Sequence, residues 1–124
     1  MISIIDDNPS FRDATRMLVK SLGYPARAFA SAEDFLQSDA INSAACLILD
    51  VNMPGLSGIE LQSRLVAEGN VTPIIFVSAV ANTTVQAAAI KAGAVGFLSK
   101  PFKAVSLIEY LDVALKSHRG SIRH

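Results

Sequence analysis

Cys46-Leu47-Ile48-Leu49-Asp50-Val51-Asn52-Met53-Pro54-Gly55 begins as an apolar run and ends as a polar loop. An uncharged run of this length, bounded by turn residues, suits a strand buried on both faces of a parallel sheet. Asp50 closes the run, and the Pro54-Gly55 pair marks a loop. Ser57 and Glu60 then form a Ser-x-x-Glu capping box that opens a helix. The segment therefore reads as strand, loop and helix, with a carboxylate where the strand meets the loop.

The same pattern recurs on either side. Ile2-Ser3-Ile4-Ile5 runs into Asp6-Asp7, Ile74-Ile75-Phe76-Val77 into Ser78, and Val95-Gly96-Phe97-Leu98 through Ser99 into Lys100. Ala26 to Phe29 is a weaker strand-like run. Between the runs lie helical patterns. Asn8 is an N-cap with Pro9 at the first helical position. Phe11, Ala14, Thr15, Leu18 and Leu22 follow on one face, and Gly23 stops that helix. Ser31 caps a short helix holding Phe35 and Leu36. The helix after Ser57 is expected to bury Ile59, Leu65 and Val66. An alanine-rich helix spans about Thr84 to Ala92, and a last one carries Val105, Ile108, Leu111 and Leu115 at helical spacing.

Alternating strands and helices predict parallel strands joined by right-handed crossovers, with helices on both faces. The expected fold is a flavodoxin-like, doubly wound (βα)5 domain with a five-stranded sheet of order 2-1-3-4-5. Ligands bind such sheets at the carboxyl ends of the strands, near the point where strand order reverses. Asp6, Asp7, Asp50, Ser78 and Lys100 all end strands, so they are expected to converge there.

That constellation has a definite chemistry. At ~4 Å and an effective dielectric of ~20, two like charges repel by about 4 kcal/mol. Clustered carboxylates therefore share protons or recruit a cation. Hard oxygen ligands, with a backbone carbonyl from the loop after Asp50, suit Mg²⁺, which keeps waters and bridges to phosphoryl groups. Lys100 adds a second positive charge and Ser78 a hydroxyl donor. Asp50 is then both a metal ligand and a candidate nucleophile, since a carboxylate can form an aspartyl-phosphate.

Composition narrows the classes. With 124 residues, 51% of them hydrophobic and only 6% aromatic, one domain with an aliphatic core is expected. Eleven acidic and eleven basic residues balance, which disfavours direct nucleic-acid binding. No apolar stretch approaches the ~20 residues of a membrane span. Met1 leads into a strand-like run without a basic n-region, so no signal peptide is expected. The lone Cys46 lies inside an apolar run and reads as a small buried hydrophobe. A cytoplasmic location fits these features. His118 and His124 sit in a polar, basic stretch and read as solvated.

At this point the sequence resembles the receiver domain of bacterial two-component response regulators. The resemblance rests on Asp6-Asp7, on Leu49-Asp50-Val51-Asn52-Met53-Pro54-Gly55 with Gly58, on Ser78, and on Lys100-Pro101-Phe102. Ala92-Gly93-Ala94 before Val95-Gly96-Phe97-Leu98 is similar too, and the nearest flavour is of receivers that precede a helix-turn-helix output domain. The resemblance implies a phosphorylation switch, not an enzyme acting on other substrates. Asp50 would take a phosphoryl group from a sensor histidine kinase or a phosphotransfer protein. Asp7 and Asp50 would bind Mg²⁺ through carboxylates, Asn52 through its backbone carbonyl and Asp6 largely through water. Lys100 would contact the phosphoryl group, with a cis peptide before Pro101. Ser78 would move to the phosphoryl oxygen and Phe97 would turn inward as the switch aromatic. Phe97 lacks the hydroxyl of the Tyr common there, and Val80 is apolar where many members are polar. On this reading residues 1–117 are the receiver domain and 118–124 a basic tail or the start of a linker, given its cast by Lys116, Arg119 and Arg123. A homodimer or an output domain would use the Thr84–Ala92 helix and the fifth strand, where Val85, Ala88, Ala89 and Ile90 make an apolar face.

Two other functions share parts of the pattern. A phosphatase of the haloacid dehalogenase type also places a nucleophilic Asp at a strand end, but it wants a second Asp two residues on, where this chain has Asn52. A flavodoxin-like cofactor binder wants a phosphate-binding loop after the first strand, where this chain has two negative charges.

Overall fold

The computed structural model describes the backbone of residues 1–80 and 82–122, and side chains as far as Lys116. Five parallel strands form one sheet of order β2-β1-β3-β4-β5. They are β1 (Ile2–Ile5), β2 (Ala26–Phe29), β3 (Cys46–Asp50), β4 (Ile74–Ser78) and β5 (Gly96–Ser99). The helices are α1 (Pro9–Ser21), α2 (Ala32–Gln37), α3 (Ala40–Ser43), α4 (Gly58–Ala67), α5 (Thr83–Lys91) and α6 (Ala104–Ile122). The expected strand order is borne out.

Strand alternation sorts the core into two layers, because successive side chains point to opposite faces. Ile5, Leu47, Leu49, Ile74 and Phe76 face one layer, with Phe35 of α2, Leu61 and Leu65 of α4, and Ala89 of α5. Ile2, Ile4, Cys46, Ile48, Ile75, Val77 and Leu98 face the other, with Val19 of α1 and Leu107, Leu111 and Ala114 of α6. Burying each large aliphatic side chain contributes roughly 1.5–3 kcal/mol, so the central strands hold the sheet.

The expected helix starts are present. Asn8 Oδ1 accepts from Phe11 N, Ser31 Oγ from Asp34 N, and Ser57 and Glu60 form the reciprocal capping box. Gly23 ends α1 with φ +95°, a left-handed conformation open to glycine.

Three readings need correction. Val66 of α4 is 55% exposed, and Leu61 and Gln62 are buried instead. In α6 the buried stripe is Leu107, Leu111 and Ala114, with Val105 and Ile108 facing outward. This helix carries apolar residues around much of its circumference, so spacing leaves its phase open. On α1, Val19 is buried and Ala14 exposed. The four-residue α3 was not anticipated, and α6 spans Ala104–Ile122. The side chains of His118 and Arg119, and residues Arg123 and His124, lie outside what is described.

Candidate functional site

β1 and β3 are adjacent and in register, Ile5 opposite Leu49, so Asp6 and Asp50 leave the sheet side by side. Asp6 and Asp50 are 2% and 5% exposed, while Asp7 faces solvent. One carboxylate oxygen from each of Asp6, Asp7 and Asp50 falls within 4.8 Å of the others. Burial first, then the neighbouring Asp6 charge, pushes the Asp50 carboxyl up from 3.8 to about 6; Lys100 opposes that rise.

Backbone and helix contacts fix this pole. Asp6 Oδ1 accepts from Asn8 N at 2.9 Å, and Arg12 Nη1 donates to the Asp6 carbonyl at 2.8 Å. Asp50 Oδ1 accepts from Asn52 N at 3.2 Å. Asp6 Oδ2 is buried and accepts no well-aligned hydrogen bond among the described residues. Its compensation is charge, because Lys100 Nζ stands 2.8 Å away. The same ammonium is 3.5 Å from Asp50 Oδ2. Three carboxylates against one ammonium leave the cluster short of positive charge. Three carboxylate oxygens gathered this closely, with one ammonium against them, fit a divalent cation with oxygen preference.

The loop after Asp50 is pinned from beneath. Gly58 N donates to the Val51 carbonyl at 3.0 Å, and a Cβ on Gly58 would collide with the Asp50 carbonyl. On the far side of the loop Glu33 of α2 accepts from Leu56 N at 3.0 Å, and that hydrogen bond holds its carboxyl below the usual range.

β4 and β5 supply the other wall. Lys100 N donates to the Ser78 carbonyl at 2.8 Å, and the Lys100–Pro101 peptide is cis. Ser78 Oγ donates to the Val80 carbonyl at 3.0 Å and accepts from Val80 N at 3.1 Å. Asn52 Nδ2 is 3.5 Å from the same hydroxyl. Phe97 is half-buried, its ring 6.1 Å from that of Phe76. A cleft of about 630 Å³ opens over these groups, lined by Asp7, Asp50, Asn52, Ser78, Phe97 and Lys100 among others.

The structure thus brings together Asp6, Asp7, Asp50, Asn52, Ser78, Phe97 and Lys100 at one sheet edge. Sequence reasoning missed Arg12, Glu33 and Phe11, whose ring lies under the Lys100 ammonium. It also missed that the backbone, not the side chain, of Val80 holds Ser78. A signal for Phe11 was its place in the first turn of the helix that follows Asp6-Asp7.

The chain is similar to known proteins along nearly its whole length. The model of the response regulator receiver domain matches residues 2–112. Transcriptional regulatory protein TdiR of Thauera aromatica is 38% identical over 95% of this chain and 52% of its own length. Response regulator protein TmoT of Ectopseudomonas mendocina is 40% identical over 94% of this chain and 53% of its own. The solved structure of response regulator StyR superposes with a TM-score of 0.91 at 35% identity, covering 98% of this chain and 62% of that one. The chain spans about half the length of the curated relatives it matches. Nothing among these matches points to a haloacid dehalogenase phosphatase, and Asn52 offers no acid–base group where that chemistry needs one. With the sheet order, the strand-end acids and the match over residues 2–112 in agreement, this chain belongs to the response regulator receiver domain family.

Proposed function

We propose that Asp50 accepts a phosphoryl group from a phosphohistidine of a sensor histidine kinase or a phosphotransfer protein, and that the chain works as a cytoplasmic switch. A carboxylate oxygen of Asp50 attacks phosphorus. The P–O bond forms as the P–N bond breaks, and the leaving imidazole takes up a proton. Asp7 and Asp50 would hold Mg²⁺ by their carboxylates, Asn52 by its backbone carbonyl and Asp6 largely through water. When bound, the ion offsets charge on the phosphoryl oxygens. Lys100 then exchanges its contact with Asp50 for one to the phosphoryl group, its ammonium keeping its place beside the cluster. Ser78 exchanges the Val80 carbonyl for a phosphoryl oxygen, and Phe97 moves inward behind it. The observation that carries this reading is the clustering of the three carboxylate oxygens within 4.8 Å, beside Lys100.

The output follows from α5. Among the described residues only Ala89 of this helix is buried, and Ile90 is 45% exposed. The face of α5 and β5 passes the signal to a second copy or to an output domain beyond residue 117, with 118–124 as the start of a linker. Residues 1–117 make up the receiver unit. With Mg²⁺ and acetyl phosphate, the chain should gain one phosphoryl group at Asp50, and Asp50→Asn should gain none. Equal labelling of both proteins contradicts the proposal. Many turnovers of a generic phosphomonoester would favour the phosphatase instead.

A further inference from the structure

Lys100 supplies both ion pairs to the acidic cluster among the described residues, yet carboxylates alone do not give its flexible stem a direction. Its Nζ also lies 4.2 Å from the centroid of the Phe11 ring. Phe11 meets Phe102 edge to face, with centroids 5.6 Å apart and planes at 83°. Phe102 follows Lys100-Pro101, so one loop delivers the ammonium and the ring that braces Phe11. The Lys100 side chain is 16% exposed, which keeps most water from the contact. A desolvated ammonium over an aromatic face is held more strongly than an exposed one.

We propose that Phe11 is a positioning residue for Lys100, its ring face holding the ammonium where it meets the phosphoryl group on Asp50. The inference rests on the acceptor reading of Asp50. Phe11 acts through Lys100 and touches neither phosphoryl group nor metal. The plainer account makes Phe11 a packing residue between α1 and the Pro101-Phe102 turn, where it borders an apolar hollow with Leu18 and Phe102.

The two accounts separate on the ring. Phe11→Met keeps length and apolar character but removes the π face, whereas Phe11→Tyr keeps the face. With Mg²⁺ present, Phe11→Met is expected to weaken beryllofluoride binding about fivefold to thirtyfold, the factor that a partly to fully desolvated cation–π contact represents. Phe11→Tyr should stay within about twofold of the parent, and Mg²⁺ affinity alone should change less than about twofold in both. The Lys100 Hε signals, shifted by the ring current in the parent, should return to ordinary lysine positions in Phe11→Met. Melting curves establish that each variant is folded at the assay temperature. Parent-like beryllofluoride affinity in Phe11→Met overturns the proposal, as does an equal loss in Phe11→Tyr. If the parent takes no phosphoryl group at Asp50, the acceptor reading fails and this role with it. A surviving ring-current shift would then mark that as a failure of the chemistry, not of the contact.

Discussion

The two halves of the carboxyl edge of the sheet are built differently. At the ends of β1 and β3, Asp6 and Asp50 are buried and tied to Asn8, Arg12, Asn52 and Lys100. Gly58 leaves no space beneath the Asp50 carbonyl. At the end of β4, the Ser78 hydroxyl is held by the backbone of Val80, and α5 beyond it buries only Ala89 among the described residues. Gln62 of α4 grips that helix near its C-terminal end, donating to the Ala89 carbonyl at 3.0 Å. One half fixes charges in place at a cost in stability. The other is lightly attached and free to answer a change at Ser78. A site that must bind before it signals needs both, since movable elements come from the less stable parts of a fold.

The largest expected effect strikes the fixed half. Gly58→Ala should cost about 3 kcal/mol or more, because its Cβ meets backbone of Asp50 and Val51 that cannot move aside. Urea unfolding checks this, and a loss below about 1 kcal/mol would show the loop to be looser than the contacts imply.

Next comes the cost of gathering charge. The Asp50 carboxyl is raised from 3.8 to about 6, so the folded chain holds its proton more tightly than the unfolded chain. Its contribution to stability is therefore greatest below about pH 4 and is lost as pH rises through about 6. In chelator at pH 7, Asp50→Asn should stabilise the chain by about 1–2 kcal/mol, after allowing for screening across the open cleft. The gain should shrink toward zero at pH 4. Unfolding midpoints measured across that range test the sign, and a gain that grows on acidification would contradict it.

The smallest effect belongs to the loose half. Ile90 is exposed on α5, so Ile90→Ser should change monomer stability by less than about 0.5 kcal/mol. A larger loss at low protein concentration would mean that this face is packed, and the contrast between the halves would fail.

How much of this was legible depends on what each residue needs. Asp50, Ser78 and Lys100 were placed correctly because a buried parallel strand is a short, unmistakable apolar run, and its end locates the residue that follows. The helix starts were legible for a similar reason, since Asn8, Ser31 and Ser57 act on backbone only three residues away. Long-range contacts were not. Whether Phe11 faces Lys100 depends on how α1 docks against the Pro101-Phe102 turn, and spacing within α1 says nothing of that. The part played by Val80 was hidden because it lies in the main chain, where residue type carries little information. The burial of Leu107 and Ala114 in place of Val105 and Ile108 is a choice of phase on a broadly apolar helix, settled by the sheet it covers.

The central claim is that a pre-built acidic pole is read out by a loosely held helix. Amide hydrogen exchange with and without Mg²⁺ and beryllofluoride tests it most directly. The account predicts that exchange changes most across residues 78–92, from the end of β4 through α5, while α4 and β3 keep the protection they already have. Unchanged exchange in α5 on a chain that demonstrably binds beryllofluoride, or an equal change throughout α4 and α5, would contradict it.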